Sequence, residues 1–509
     1  MTTPNTPKDD PLSWLESHIR DCPEAPFLET AVGGVIRYGE LDGITRRVAA
    51  ALRALGVARG ERVCVALEKS VETVFLYIAA LRMGAVYMPL NTAYTASELE
   101  YFLEDARPRV LLADPALASA ALAAAASRTG TRLMTLDSQG EGSFADALQS
   151  AGPDGLPDAL GGEDLAALVY TSGTTGRSKG AMLTRGNLAA GAQALVRAWG
   201  VRPEDVLLHA LPLFHVHGLF IALNTVMAAR ASLLFLPRFD ARETLGCLPR
   251  ATLFMGVPTH YTRLLAQPAL DRNAVAKVRL FVSGSAPLLP ETHRQFEARC
   301  GQVILERYGM TETVVNASNP LHGVRKPGSV GPPLPGMSLR LAPLADAGDA
   351  QVGMIEVRGP SVFRGYWKAE QKTRESFRED GYFITGDVGR FDEDGYLYIV
   401  GRARDLIISG GYNVYPVEVE EALDRLAGVA ESAVIGLPHP DFGEGVTAVV
   451  VARPGAALSE ADLIAQLRQR LAAYKLPKRI LFAAELPRNT MGKVQKAALR
   501  TAHAALYGR

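Results

Sequence analysis

The sequence predicts an α/β protein of more than one domain, and three observations carry that expectation. Its 509 residues, 48% of them hydrophobic, suffice for several cores. Helical and strand patterns alternate through most of the chain, as they do where crossover helices join parallel strands. Near residue 380 the texture changes to short alternating strands, and a compact mixed segment follows.

Taken in order, GELDGITRRVAAALRALG has the apolar period of an amphipathic helix. ERVCVAL is a strand, SVETVFLYIAALRMG a helix, and AVYMPL and PRVLLAD are strands. The alanine-rich stretch at 116–126 reads as a surface helix. From Leu165 onward, LAALVYT, DVLLHAL, ASLLFL, ATLFMG, VRLFVSG and QVILERYG are strands, each followed by a turn, loop or helix. In GYFITGDVGRFDEDGYLYIVGR, Asp394-Gly395 between alternating apolar runs signals a hairpin. Beyond it YPVEVEEALDRLAGV and SEADLIAQLRQRLAAYKLP read as helices, with ESAVIGLP and EGVTAVVVARP as strands. The boundary falls near Arg402 to Asp405. This gives a large N-terminal domain of layered α/β sheets with a β-rich subdomain, 1–402, and a small mobile α+β C-terminal domain, 403–509.

Lysine plus arginine equals aspartate plus glutamate at 54 each. That balance removes the electrostatic case for nucleic acid or an anionic membrane as partner and favours a small molecule. The opening MTTPNTPKDDPLSW has no apolar segment of the signal type, and no stretch is long and apolar enough to span a bilayer, so a cytoplasmic location is expected. Cys22, Cys64, Cys247 and Cys300 are dispersed without a CxxC pair, which excludes a zinc knuckle or disulfide framework.

The stretch TSGTTGRSKG, Thr171 to Gly180, reads as a glycine-rich loop leading from a strand into a helix. Polyphosphate binding needs backbone N–H groups close to oxygen atoms, with hydroxyls and a lysine as further donors. Thr171, Ser172, Gly173, Thr174, Thr175, Gly176 and Lys179 supply all of these. It is not a Walker loop, because Gly180 follows Lys179 in place of Ser or Thr. Alone, the loop is equally compatible with a structural turn. Corroboration follows in order along the chain: Tyr308-Gly309-Met310-Thr311-Glu312, then TGD at Thr385 to Asp387, GRARD at Gly401 to Asp405, and PRNTMGK ending at Lys493.

In these five ordered motifs the chain resembles the adenylate-forming superfamily of acyl-CoA synthetases, luciferases and peptide-synthetase adenylation domains, over nearly its whole length. The resemblance implies a two-step acid–thiol ligation: a carboxylate attacks the α-phosphate of ATP, and a thiol, that of coenzyme A, then displaces AMP. It implies that Thr171 to Lys179 hold the β- and γ-phosphates, Thr311 the α-phosphate, and Glu312 a magnesium ion. Tyr308 would lie against adenine, Asp387 would accept both ribose hydroxyls, and Arg402 would add a second ribose contact. Ser285, Arg307, Gly309 and Met310 complete the expected nucleotide site. Lys493 would bridge the attacking carboxylate and the α-phosphate as charge builds. Since thiol attack needs the space that this lysine occupies, the small domain must rotate, with Arg404 near the pivot and Gly410-Gly411 then facing the coenzyme A channel. The same lysine context resembles sites silenced by acetylation, which makes a lysine acetyltransferase acting at Lys493 an expected partner.

By the same resemblance, LPLFHVHGLF, GVPTHYTRLL and SGSAPLL build the acid pocket, with His215 at the reacting end. The pocket is unusually polar. Pro258 suits a helix's first position, placing Arg263 about one and a half turns in. An arginine buried there without a partner would be costly. A short dicarboxylate answers that need, one carboxylate activated and the other held by Arg263, with His217 and Ser285 as further donors. This constellation resembles that of the malonate-activating members of the superfamily. Methylmalonate, another short acid, a carrier-protein thiol, and a nucleotide-binding protein without the chemistry remain the alternatives.

Overall fold

The computed structural model of the chain describes residues 12–152, 156, 159–171, 178–344, 351–409 and 412–508. An eight-stranded sheet carries Val206–His209, Ser232–Phe235, Leu253–Gly256, Leu280–Ser283 and Leu305–Tyr308 in its centre. These pair in parallel, extend in parallel to Pro26–Thr30, and end in antiparallel edge strands at Val35–Arg37 and Ala317–Ser318. A seven-stranded sheet runs Gly365–Tyr366, Lys179–Thr184, Leu165–Thr171, Val86–Pro89, Arg62–Ala66, Val110–Ala113, Arg132–Thr135. Its last five strands are parallel and its first two antiparallel.

Continuous apolar strands such as VLLH, SLLF, LFMG and LFVS are what a sheet covered on both faces requires. Their alternate residues separate accordingly. Leu207, Leu233, Met255 and Val282 share one core with Val63, Val65, Tyr87 and Val110 of the second sheet. Leu208, Leu234, Phe254 and Phe281 belong to one outer core, and Cys64, Met88 and Leu111 to another. The helix Val71–Met83 lies in the shared layer and is buried on nearly every face. It opens with a capping box at Ser70, whose hydroxyl accepts from the Thr73 N–H, and closes at Gly84, whose φ of 74° suits a residue without a Cβ.

The β-rich segment is a four-stranded antiparallel sheet, Ser338–Pro343, Gly353–Arg358, Phe383–Phe391 and Leu397–Arg402, with Gly395 in the expected hairpin turn. A last sheet joins Ile407–Ser409, Tyr412–Val414, Val429–His439, Gly443–Ala452 and Arg479–Ala483. The helices Pro416–Asp424 and Glu460–Leu467 close a separate core around Val419, Leu423, Val446, Leu463 and Ile480.

Three expectations are corrected. Thr171 and Lys179 pair across antiparallel strands, so TSGTTGRSKG links strand to strand, and the next helix begins only at Arg185. Lys179–Thr184 alternates well enough to join the sheet edge, and this postpones the helix. The alanine-rich helix is Ala120–Thr129, and it buries Leu122, Ala125 and Ala126. The helix from Glu460 stops at Leu467, because only Leu471 of the next four residues is even half-buried.

Candidate active site

The central strands of the eight-stranded sheet end together at His209, Gly256, Ser283 and Tyr308, and the loops leaving them converge outside their carboxyl ends, where open α/β sheets bind ligands. After Ser283, Gly284 lies so close to Arg307 that a Cβ there would stand 2.5 Å from the guanidinium carbon. Ser285 follows at φ 73°, a left-handed conformation seldom adopted by serine and often found at functional sites. Its Oγ lies 3.1 Å from Nδ1 of His217. His217 opens the seven-residue π-helical segment His217–Leu223, and its Nε2 is buried without a hydrogen-bond partner among the described residues.

Arg307 is only 4% exposed, and its Nε and one Nη have no hydrogen-bond partner among the described residues. Burial pulls its pKa down to about 9. His215 is held to about 4 by burial and by the charges of Arg307 and Lys493, so it is neutral. Its Nδ1 accepts from the His217 N–H at 3.2 Å, which leaves the proton on Nε2 to donate. This part of the cleft is therefore a set of neutral imidazoles around a guanidinium that meets no carboxylate among the described residues.

A second group of polar side chains is balanced within itself. Asp387 and Arg402 are cross-strand partners, with Nε 3.0 Å from Oδ1, and the Tyr308 hydroxyl donates to Oδ2 at 2.5 Å. Arg402 is held above its usual range chiefly by Asp387. Asp387 keeps lone pairs beyond these two contacts, and the buried Tyr308 has its hydroxyl engaged. Glu312 is buried and accepts from the Tyr366 hydroxyl at 3.0 Å, with the Lys179 ammonium over the Tyr366 ring at 5.7 Å. Burial raises the Glu312 pKa. Such a carboxylate suits magnesium, which keeps most of its shell as water and phosphate oxygen. Among the described residues no cluster of three metal-ligating side chains offers a rival site. Thr311, half-buried, precedes Glu312, and a Cβ at Gly309 would overlap the Val314 carbonyl, so this turn admits no side chain there.

Lys493 enters from the C-terminal segment. Met491 is buried in the core shared by the two large sheets, the Asn91 amide donates to the Thr490 hydroxyl at 3.4 Å, and a Cβ on Gly492 would stand 2.8 Å from Thr259 Oγ1. The Asn489 side chain accepts from the N–H groups of Met491 and Lys493, shaping this arm. Lys493 then lies within the influence of Arg402, Asp387, Arg404 and Asp405, and burial is the main cause that brings its pKa to about 8.

Arg263 is where sequence reasoning fails. Its helix does start with Pro258 and spans Pro258–Leu265, but Arg263 is exposed, on the face that carries Thr259 and next to a surface cavity of about 300 Å³ shared with Phe239, Asp240 and Gln267. The helix turns His260, Tyr261 and Leu264 inward, and Arg263 falls outside that stripe. Arg307, expected to serve the nucleotide, is the buried arginine instead. Tyr366 was not anticipated, since nothing in RGYW marks it as the partner of a carboxylate 54 positions away. Ser172, Gly173, Thr174, Thr175, Gly176, Gly410 and Gly411 lie outside the described residues.

A profile of the AMP-binding enzyme family matches residues 15–367, and that of the AMP-binding enzyme C-terminal domain matches residues 418–493. The chain belongs to the AMP-binding enzyme family. Among AMP-binding relatives, a malonate–CoA ligase of Arabidopsis thaliana is 38% identical over 479 residues, covering 87% of this chain and 78% of its own. The crystal structure of ATP-bound MatB from Rhodopseudomonas palustris is 50% identical, with TM-score 0.94 over 97% of this chain and 99% of that one. Apo MatB from the same organism, also 50% identical, superposes at TM-score 0.83 over 98% and 99%. The arrangement of this chain is thus nearer the ATP-bound form.

Proposed function

We propose that this AMP-binding enzyme joins malonate to coenzyme A, converting malonate, ATP and coenzyme A into malonyl-CoA, AMP and diphosphate through malonyl-adenylate. The observation that carries the reading is Arg307, a buried guanidinium with two unpartnered nitrogens beside His215, His217 and Ser285. A monocarboxylate has no second charge to offer it. A short dicarboxylate places one carboxylate against Arg307 and Ser285 and presents the other to Lys493. The MatB likeness and the similarity to a malonate–CoA ligase support the same acid.

In the first step a carboxylate oxygen attacks the α-phosphorus and diphosphate leaves. Lys493 draws the two anionic groups together, the Nε2 proton of His215 donates to one of them, and Thr311 donates to the α-phosphate. Tyr308, Asp387 and Arg402 hold the adenosine, while the Thr171 to Lys179 loop receives the outer phosphates. Glu312 would hold a magnesium ion arriving with ATP, which would supply charge neutralisation at the phosphates. In the second step the thiol gives its proton to solvent, the sulfur attacks the acyl carbon, and the acyl–phosphate bond breaks to release AMP. The Lys493 arm must first withdraw; Arg404 is the proposed pivot between residues 1–402 and 403–509. Arg263 supplements the dicarboxylate field from the rim.

The test is AMP release with coenzyme A over a panel of malonate, methylmalonate, sulfoacetate, acetate, butyrate and benzoate. Malonate should give the highest kcat/KM. A butyrate or benzoate preference would reject the dicarboxylate reading, and a methylmalonate preference would replace malonate by its branched homologue.

A further inference from the structure

Outside the site described, Lys69 is a buried basic side chain without an assigned role, 8% exposed, in the loop after Arg62–Ala66. Its ammonium reaches from the seven-stranded sheet to the other sheet's strand ends. It contacts Nδ1 of His209 at 2.9 Å and donates to the His209 carbonyl at 2.7 Å and the Leu236 carbonyl at 2.6 Å. Burial pulls the Lys69 pKa well down, but three acceptors within 2.9 Å take three protons, which only the ammonium carries. The Phe235 ring lies 4.3 Å away, and among the described residues no carboxylate pairs with it.

His209 extends the chain of bonds. Its Nε2 lies 2.9 Å from the Gly218 carbonyl, which only accepts, so Nε2 carries the proton and Nδ1 is the acceptor for Lys69. Gly218 follows His217 in the π-helical turn, and a Cβ on it would stand 2.1 Å from the Pro212 carbonyl oxygen. The turn is gripped on one side by backbone packing and on the other by the His209 bond. What it presents to the cleft is His217, bonded to Ser285 through one nitrogen and with the other unpartnered.

We infer that Lys69 is a positioning residue for the acid pocket: through His209 it fixes the Gly218 carbonyl, and with it the backbone turn that sets His217 against Ser285. This rests on the proposed acid reading. A buried ammonium without a counter-ion is poorly explained by stability, since an apolar replacement of similar length is often neutral or stabilising.

The experiment compares Lys69→Met, His209→Leu and His209→Gln in the full-length enzyme. Glutamine can accept from Lys69 through Oε1 and donate to Gly218 through Nε2, so His209→Gln should keep malonate kcat/KM within about threefold, whereas the other two lower it roughly 10- to 100-fold with ATP KM and Tm little changed. The Lys69→Met, His209→Leu double variant should be no worse than either alone. Unchanged malonate kinetics in Lys69→Met, or a parallel decline of malonate kcat/KM, ATP affinity and Tm, would overturn the inference. If Lys69→Met does not fold, the two His209 variants decide: equal loss in both rejects the bonding role. A wild-type enzyme inactive on malonate instead defeats the acid reading, and the same variants are then scored with the preferred acid.

Discussion

On the proposed nucleotide side of the cleft Asp387 is met by Arg402 and the Tyr308 hydroxyl, and Glu312 by Tyr366; on the proposed acid side Arg307 has two nitrogens and His217 one without a partner among the described residues. The first region holds its charges in pairs before any ligand arrives, so a ligand there exchanges one set of hydrogen bonds for another. The second is left with a deficit that one kind of ligand removes. Selectivity should therefore reside where polar groups are unsatisfied, because an acid lacking the complementary charge leaves them so. Chemistry shared by all acids should reside where they are satisfied.

The largest expected effect lies where the two regions meet. Lys493→Ala should abolish malonate-dependent ATP–diphosphate exchange, while coenzyme A-dependent consumption of pre-made malonyl-adenylate largely survives. Lys493→Gln, which imitates acetylation by removing the charge, should behave alike. Equal loss of both half-reactions would contradict a role confined to one arrangement.

Next comes Arg307→Met. Losing one partner of a buried, hydrogen-bonded charge pair costs about 2–5 kcal/mol, roughly 30- to 5,000-fold in malonate kcat/KM. Butyrate, which never meets this charge with an anion, should hold or improve. If both acids fell together, Arg307 would be structural and the contrast between the regions would collapse.

The third prediction concerns pH. With its pKa at about 8, Lys493 is protonated below that value and loses its charge above it, so kcat/KM for adenylation should fall about tenfold per pH unit on the alkaline side. Lys493→Arg should show whatever activity it retains without that limb; a profile flat to pH 10 in the wild type would remove the lysine from the step.

Smallest is Arg263→Met. An exposed cation is worth little because water screens it, so malonate kcat/KM should drop only about three- to tenfold, with ATP KM unmoved. A loss as large as that of Arg307→Met would mean that Arg263 turns inward when the acid binds.

The division between what could be read along the chain and what could not follows the range of the interactions. The strands, the Ser70 and Gly84 helix ends, the Asp394-Gly395 turn and the Pro258 helix start are set by periodicity and by local backbone chemistry, and each stands where the residues put it. Thr311, Glu312, Asp387, Arg402 and Lys493 could be singled out because their motifs are contiguous and ordered, and the structure brings Glu312 and Lys493 within electrostatic range of Asp387 and Arg402. The exposure of Arg263 and the burial of Arg307 were not legible, although both sit on well-predicted elements. A side chain's distance along an element does not tell which face its neighbours cover. That depends on how Leu305–Tyr308 packs against Gly284 and how the helix at Pro258 turns His260 and Tyr261 inward. The Tyr366–Glu312 and Lys69–His209 contacts join residues 54 and 140 positions apart. Short-range propensity carries no information about such pairs; they exist because two sheets, each with its own pattern, end at the same cleft.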